Sequence, residues 1–270
     1  MTGAEDVAVQ VFTALLCGVL GLAIGSFLNV VVWRVPRGES VVSPGSACPR
    51  CGHEIRARDN VPVLSWLLLR GRCRDCGEPI SPRYPAVEAG TAVLFATVGW
   101  LAGPSWSLPA YLYLAAVGVA LALIDLDTQR LPDVIVLPSY PVALALLALA
   151  SWNPGGQSDW GAFARALAGG AVMFAVYLLI VLAYPRGMGR GDVKLAGVLG
   201  MFLGWAGWGN LVVGWFAAFL LGGIVGMGLI AVRRAGRRTA IPFGPWMLLG
   251  AAAGLLVGAR ISHWYVDLVI

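Results

Sequence analysis

Long apolar runs alternate with short charged breaks along most of the chain. Residues 7–33 form the first run, and Arg34 and Arg37 stop it. A second run, 86–102, ends at the Gly103-Pro104 turn, and a third, 109–124, leads directly into Asp125. Residues 134–151 make a fourth, with Pro138 and Pro141 inside it. A polar turn at 153–160 opens the fifth, 161–184. The sixth, 195–206, is short, and Gly207-Trp208-Gly209 turns the chain into the seventh, which ends near Val232. The basic loop 233–238 separates it from the eighth, 241–257. Windows of about 17 or more mostly apolar residues are what a bilayer-crossing helix needs. The pattern therefore predicts an all-α polytopic membrane protein with about eight transmembrane helices. Glycine recurs through runs five to eight, as expected where helices pack closely.

Composition strengthens this picture. Of 270 residues, 59% are hydrophobic and 12% charged, where soluble domains carry about 25% charge; mean hydropathy is +0.79. Acids, Glu5 and Asp6, precede the first run, and no small-residue cleavage site follows, so it is read as a retained helix rather than a signal peptide. Residues 34–84 are the one long polar segment and hold nine of the nineteen Lys and Arg residues. Three domains are expected: transmembrane helix 1 (1–33), a cytoplasmic metal-binding loop domain (34–84), and a bundle of the remaining helices (85–270).

The net charge of +5 would suggest nucleic acid in a soluble protein. Here basic residues mark cytoplasmic loops, so membrane lipids, and not nucleic acid, are the expected partners. Placing 34–84 in the cytoplasm puts loops 125–133, 185–194 and 233–240 on the same side and leaves Arg165 and Arg260 on the other. The expected location is the cell membrane, with the charged breaks at the cytoplasmic face.

Four of the five cysteines fall in two copies of one pattern, Cys48-Pro-Arg-Cys51-Gly-His-Glu-Ile55 and Cys73-Arg-Asp-Cys76-Gly-Glu-Pro-Ile80. Two such knuckles resemble the halves of a four-thiolate structural zinc site. Disulfides are the alternative, and a reducing cytoplasm disfavours them. Four sulfurs close a tetrahedral shell, so His53 is left out. Cys17, inside the first run, reads as a small packing residue.

Two charged breaks carry candidate chemistry: Asp125-Leu-Asp127 after the third run, and Gly187-Met-Gly189-Arg-Gly191-Asp192-Val-Lys194 before the sixth. Carboxylates at bilayer depth are expensive and usually line a functional cavity. Two held close together do not both ionise easily, which provides a general base and a general acid. Asp133, after Pro132, either caps the fourth helix or supports the pair. Asp127 is a solvated loop residue or a helper. An Asp-x-Asp metal site lacks a further acidic cluster. The glycine run is no dinucleotide fingerprint, because no strand precedes it. Lys194, the chain's only lysine, and Arg190 serve topology first.

Taken in order, these segments resemble the type IV prepilin peptidases, membrane aspartic proteases of bacteria. The resemblance rests on Gly25-Ser-Phe-Leu-Asn-Val-Val-Val-Trp-Arg34, Cys48 to Cys76, Asp59-Asn-Val-Pro-Val-Leu-Ser-Trp66, and Ser81-Pro-Arg-Tyr-Pro-Ala-Val-Glu88. It continues through Asp125-Leu-Asp-Thr-Gln-Arg-Leu-Pro-Asp133 and Gly187 to Lys194. It implies removal of a short basic leader from type IV prepilin or pseudopilin precursors at the cytoplasmic face, with Asp125 and Asp192 as the catalytic pair. Asp127, Asp133, Gly187, Gly189, Gly191 and Lys194 are expected in support, the glycines by letting substrate backbone approach. Many members of the family also methylate the new amino terminus with S-adenosylmethionine, and the loop with the structural zinc accompanies that full-length form, so the resemblance implies both cofactors here. Three rivals remain: a peptidase without methylation, a metal-dependent membrane transferase using Asp-x-Asp, and a non-enzymatic scaffold or transporter.

Overall fold

A computed structural model describes residues 3–185, 187–232 and 242–269, with the side chains of Gly3, Ala4 and Ile230 excepted. Arg186, the basic loop 233–238 and Ile241, the expected start of the eighth run, lie outside the described residues. The long elements are α1 (Gly3–Arg34), α3 (Arg83–Ala102), α4 (Leu108–Thr128), α5 (Asp133–Trp152), α6 (Trp160–Ala183), α7 (Arg190–Ala206), α8 (Trp208–Ala231) and α9 (Gly244–Val269). A short α2 (Leu64–Leu68) lies between α1 and α3. Among the described residues, extended pairing is limited to two isolated bridges, Ala47 with Glu54 and Arg72 with Pro79. Among the described residues, the eight long helices fall on the expected runs, and seven of them are long and apolar enough to cross a membrane; α7 is the one that falls short.

The chain divides into two compact units, Met1–Ala120 and Leu121–Ile270, with the boundary inside α4. In the first, α1 and α3 pair antiparallel through small residues. An added Cβ on Gly21 would lie 2.7 Å from Ala92 Cα, and one on Gly25 would lie 2.8 Å from Glu88 Cα. Farther along, Gly99 meets Cys17 Sγ, so the buried Cys17 is a packing residue, as expected.

In the second unit, α6 and α7 touch backbone to backbone where Gly169 faces Gly200 and Gly204 faces Arg165. The pair α8 and α9 repeats the device, with Gly250, Gly254 and Gly258 against Ala218, Gly214 and Asn210. Small residues let helices approach closely enough for dispersion to hold them where no hydrophobic effect operates. α7 is the core of this unit: twelve of its seventeen residues are buried. Tyr140 of α5 donates to Lys194 O (2.7 Å), and Trp205 Nε1 donates to Ser151 Oγ (2.8 Å), so α5 and α7 run parallel.

Candidate active site

Asp125 lies three residues before the end of α4 and is 5% exposed; Asp192 lies in the first turn of α7 and is 8% exposed. Each carboxylate is met by a backbone N–H at the start of a helix. Gly244 N, the first residue of α9, donates to Asp125 Oδ2 at 2.9 Å. Gly189 N, the N-cap of α7, donates to Asp192 Oδ2 at 3.0 Å. The first N–H groups of a helix lack internal partners and carry its partial positive charge, so a carboxylate there completes the helix while the helix compensates the carboxylate. This is why two buried acids are tolerated in an apolar bundle.

Leu131 brings the two halves together. Its Cβ would lie 2.9 Å from a Cβ on Gly191, and its Cδ2 would lie 3.3 Å from one on Gly244. The two carboxylates lie within electrostatic reach of each other. Tyr177, fully buried and within electrostatic reach of Asp192, packs against Phe219 and Phe243.

The expected supporting residues are placed unequally. Lys194 Nζ donates to both oxygens of Asp133 at 2.7 Å, tying the first turn of α5 to that of α7. Asp133 does not cap α5, because Pro132 holds the N-cap position and Asp133 is the first helical residue. Asp127 is exposed in the last turn of α4. Two residues after Asp125, it points about 200° away around the helix axis. The two acids of Asp-x-Asp therefore cannot share one ion while the helix persists.

The glycines make contacts within the protein. Gly191 abuts Leu131 and Gly187 abuts the Tyr184 ring. Gly189 leaves room for the Asp192 carboxylate, whose Oδ2 would lie 3.1 Å from a Cβ there.

Gly244 escaped the sequence reading. Its Cβ would lie 2.8 Å from Asp125 Oδ2, closer than real Cβ atoms sit, so any other residue there would force the Asp125 carboxylate to shift. The one local signal was the Gly244-Pro245 pair, since proline is favoured in the first turn of a helix.

The cysteine knuckles form a separate centre within the first unit. Cys48 N donates to His53 O and Gly52 N to Cys48 O, and the same pair of bonds recurs from Cys73 N to Glu78 O and Gly77 N to Cys73 O. Gly52 and Gly77 take matching left-handed conformations, φ +70° and +72°, as each tight turn requires. The backbone N–H groups of Cys51 and Arg50 pull the Cys48 thiol down to about 6, the environment a metal-binding thiolate needs. All four sulfurs lie within 4.8 Å of one another, with Cys48 and Cys76 at 3.7 Å. Sulfurs about 2.3 Å from a tetrahedral zinc stand about 3.8 Å apart, so the donor set fits structural zinc. Around it, Arg74 pairs with Asp59, Arg56 with Asp75, and Arg50 with Glu78.

An all-helical membrane protein with a cysteine centre between its first two spans defines the class. The chain belongs to the type IV leader peptidase family: that family's model matches residues 112–231, and the bacterial peptidase A24 N-terminal domain matches 19–102. The first of these spans both Asp125 and Asp192 and stops short of Gly244. A relative from Aeromonas salmonicida, named prepilin leader peptidase/N-methyltransferase, is 38% identical over 92% of this chain and 92% of its own length. Relatives of the same name from Stutzerimonas stutzeri and Pseudomonas aeruginosa are 35% and 37% identical over 99% and 93% of both chains. No solved structure matches this chain.

Proposed function

We propose that the protein is a prepilin peptidase of the bacterial cell membrane, cutting basic leaders from type IV prepilin or pseudopilin precursors at the cytoplasmic face. Asp125 and Asp192 act as one acid–base pair. One carboxylate takes a proton from the water that attacks the scissile carbonyl; the other, protonated, gives its proton to the departing amide nitrogen. Because Gly244 and Gly189 each hold one oxygen of their aspartate, the second oxygen of each is left for water and peptide. Lys194 with Asp133 holds the start of α7 in register with α5, and Gly187, Gly189 and Gly191 keep that start compact.

The supporting observation is the convergence of two buried acids at helix N-termini around Leu131. Orientation draws support from charge: Arg130, Arg190 and Lys194 lie at the carboxylate end of the second unit, whereas Arg165 and Arg260 lie at the other, and basic residues favour the cytoplasm. The domain division into 1–33, 34–84 and 85–270 is retained as a functional one, with zinc stiffening the middle segment. The placement of Asp127 on the far side of α4 favours the peptidase over an Asp-x-Asp transferase.

Methylation of the new amino terminus follows from the relatives' shared name, and S-adenosylmethionine would supply the methyl group. Among the described residues there is no sheet, so helices and loops would have to hold that donor. The deciding experiment incubates the purified protein in lipid discs with a pilin precursor, with and without S-adenosylmethionine, and weighs the product. Loss of the leader mass is the expected result, with one further methyl when the donor is present. An unshortened precursor would overturn the peptidase assignment, and a shortened, unmethylated product would restrict it to cleavage.

A further inference from the structure

Short helix α2 presents Leu64, Leu67 and Leu68 outward, at 52%, 58% and 72% exposure, and the turn that leads into it presents Val61 at 43%. The spacing 64, 67, 68 is that of one helical face. Its opposite face is fixed by Ser65, buried, whose hydroxyl donates to Arg58 O and accepts from Val61 N. Trp66 Nε1 donates to Ile80 O, holding the helix to the strand of chain that leads into α3. Four exposed apolar side chains on a polar segment call for a partner.

The height of α2 along the first unit identifies that partner. Val63 N donates to the buried Glu88 carboxylate at 2.7 Å. Glu88 is the sixth residue of α3 and lies against Gly25 of α1. A hydrocarbon core about 30 Å thick takes about 20 helical residues, so an apolar run that starts at Val7 leaves it near Phe27. The level of Gly25 and Glu88 is therefore the edge of the hydrocarbon, and α2 is pinned there. Directly after α2 come Arg70 and Arg72, both exposed. Among the described residues no ion pair engages either, in contrast to Arg50, Arg56 and Arg74.

We propose that α2 is an interfacial anchor: Val61, Leu64, Leu67 and Leu68 enter the acyl boundary of the inner leaflet, and Arg70 and Arg72 engage anionic headgroup phosphates. Apolar insertion combined with basic flanks is how amphipathic segments bind a lipid surface. The anchor would hold the cysteine centre against the membrane rather than let it swing from its two linkers. It depends on membrane residence and not on the peptidase chemistry.

The test places a photoreactive benzophenone side chain at Leu68, at Leu67, or at Val42, which is 86% exposed in the same segment. The full-length protein is irradiated in discs of phosphatidylethanolamine and phosphatidylglycerol in equal parts, and adducts are weighed. Phospholipid adducts at Leu68 and Leu67 should exceed those at Val42 by roughly tenfold or more. In the Arg70→Gln/Arg72→Gln variant, with unchanged zinc content as the check on folding, the phosphatidylglycerol share of the adducts should fall. Equal adducts at Leu68 and Val42, or adducts mainly to added pilin precursor or to a second copy of the chain, would overturn the anchor. An unchanged phosphatidylglycerol share would overturn the role given to the arginines.

Discussion

The cysteine centre and the carboxylate site are built by opposite means. Each knuckle closes within six residues through its own backbone hydrogen bonds, and its twin repeats them. The carboxylate site draws Asp125 and Leu131, Gly189 to Asp192, and Gly244 from three places in the chain, and its key hydrogen bond joins residues 119 apart in sequence. A locally closed centre should fail locally, while a site assembled from helix ends should fail when any one end shifts.

The largest effect falls on the acids. Asp125→Asn and Asp192→Asn should each slow leader removal by about 10²–10⁴-fold, measured on purified protein, while membrane insertion and zinc content stay normal. Gly244→Ala comes next. Its Cβ would crowd Asp125 Oδ2, and a carboxylate displaced by about 1 Å costs on the order of 10²-fold; unchanged helicity would exclude misfolding as the cause.

Breaking the other centre should look different. Cys48→Ser/Cys73→Ser should lose its zinc and become sensitive to protease within residues 34–84, with the second unit's helices intact; full zinc content in that variant would reject the four-thiolate centre. A smaller effect is expected for Lys194→Met. The pair with Asp133 is partly exposed, and such pairs are worth about 0–1 kcal/mol, so activity should fall by less than about tenfold.

Acid should loosen the cysteine segment most gently. Hydrogen bonds from Arg74 hold the Asp59 carboxyl below the usual carboxylate range. That contribution is complete above the unfolded carboxyl value of about 3.9 and is lost as pH falls through the folded value. Proteolysis of residues 34–84 should therefore rise below about pH 4, and Arg74→Gln should flatten that rise.

The same contrast explains which features were legible in the sequence. Both knuckles and all eight long helices were legible, because hydrophobic runs and Cys-x-x-Cys-Gly are local signals. The end of α9 was not: the eighth run was read as ending at Val257, yet the helix continues to Val269, since polar residues end an apolar run without ending a helix. Nor could the run 195–206 within α7 be told from a lipid-facing span. It carries no charge, but where α1 turns Phe12, Leu15 and Val19 outward, α7 is surrounded by protein. Asp125 and Asp192 stood out because charge is costly in an apolar run. Gly244 did not, because the donor it supplies is a backbone N–H that every non-proline residue carries.

The central claim is that two aspartates distant in sequence work as one unit. It is tested most directly by single-turnover cleavage of a pilin precursor with Asp125→Asn, Asp192→Asn and the double variant, each in lipid discs. Groups that act together lose their effect together. The double variant should therefore cleave no more than about threefold slower than the slower single variant. Losses that multiply in the double variant, or wild-type cleavage by either single one, would contradict a shared site.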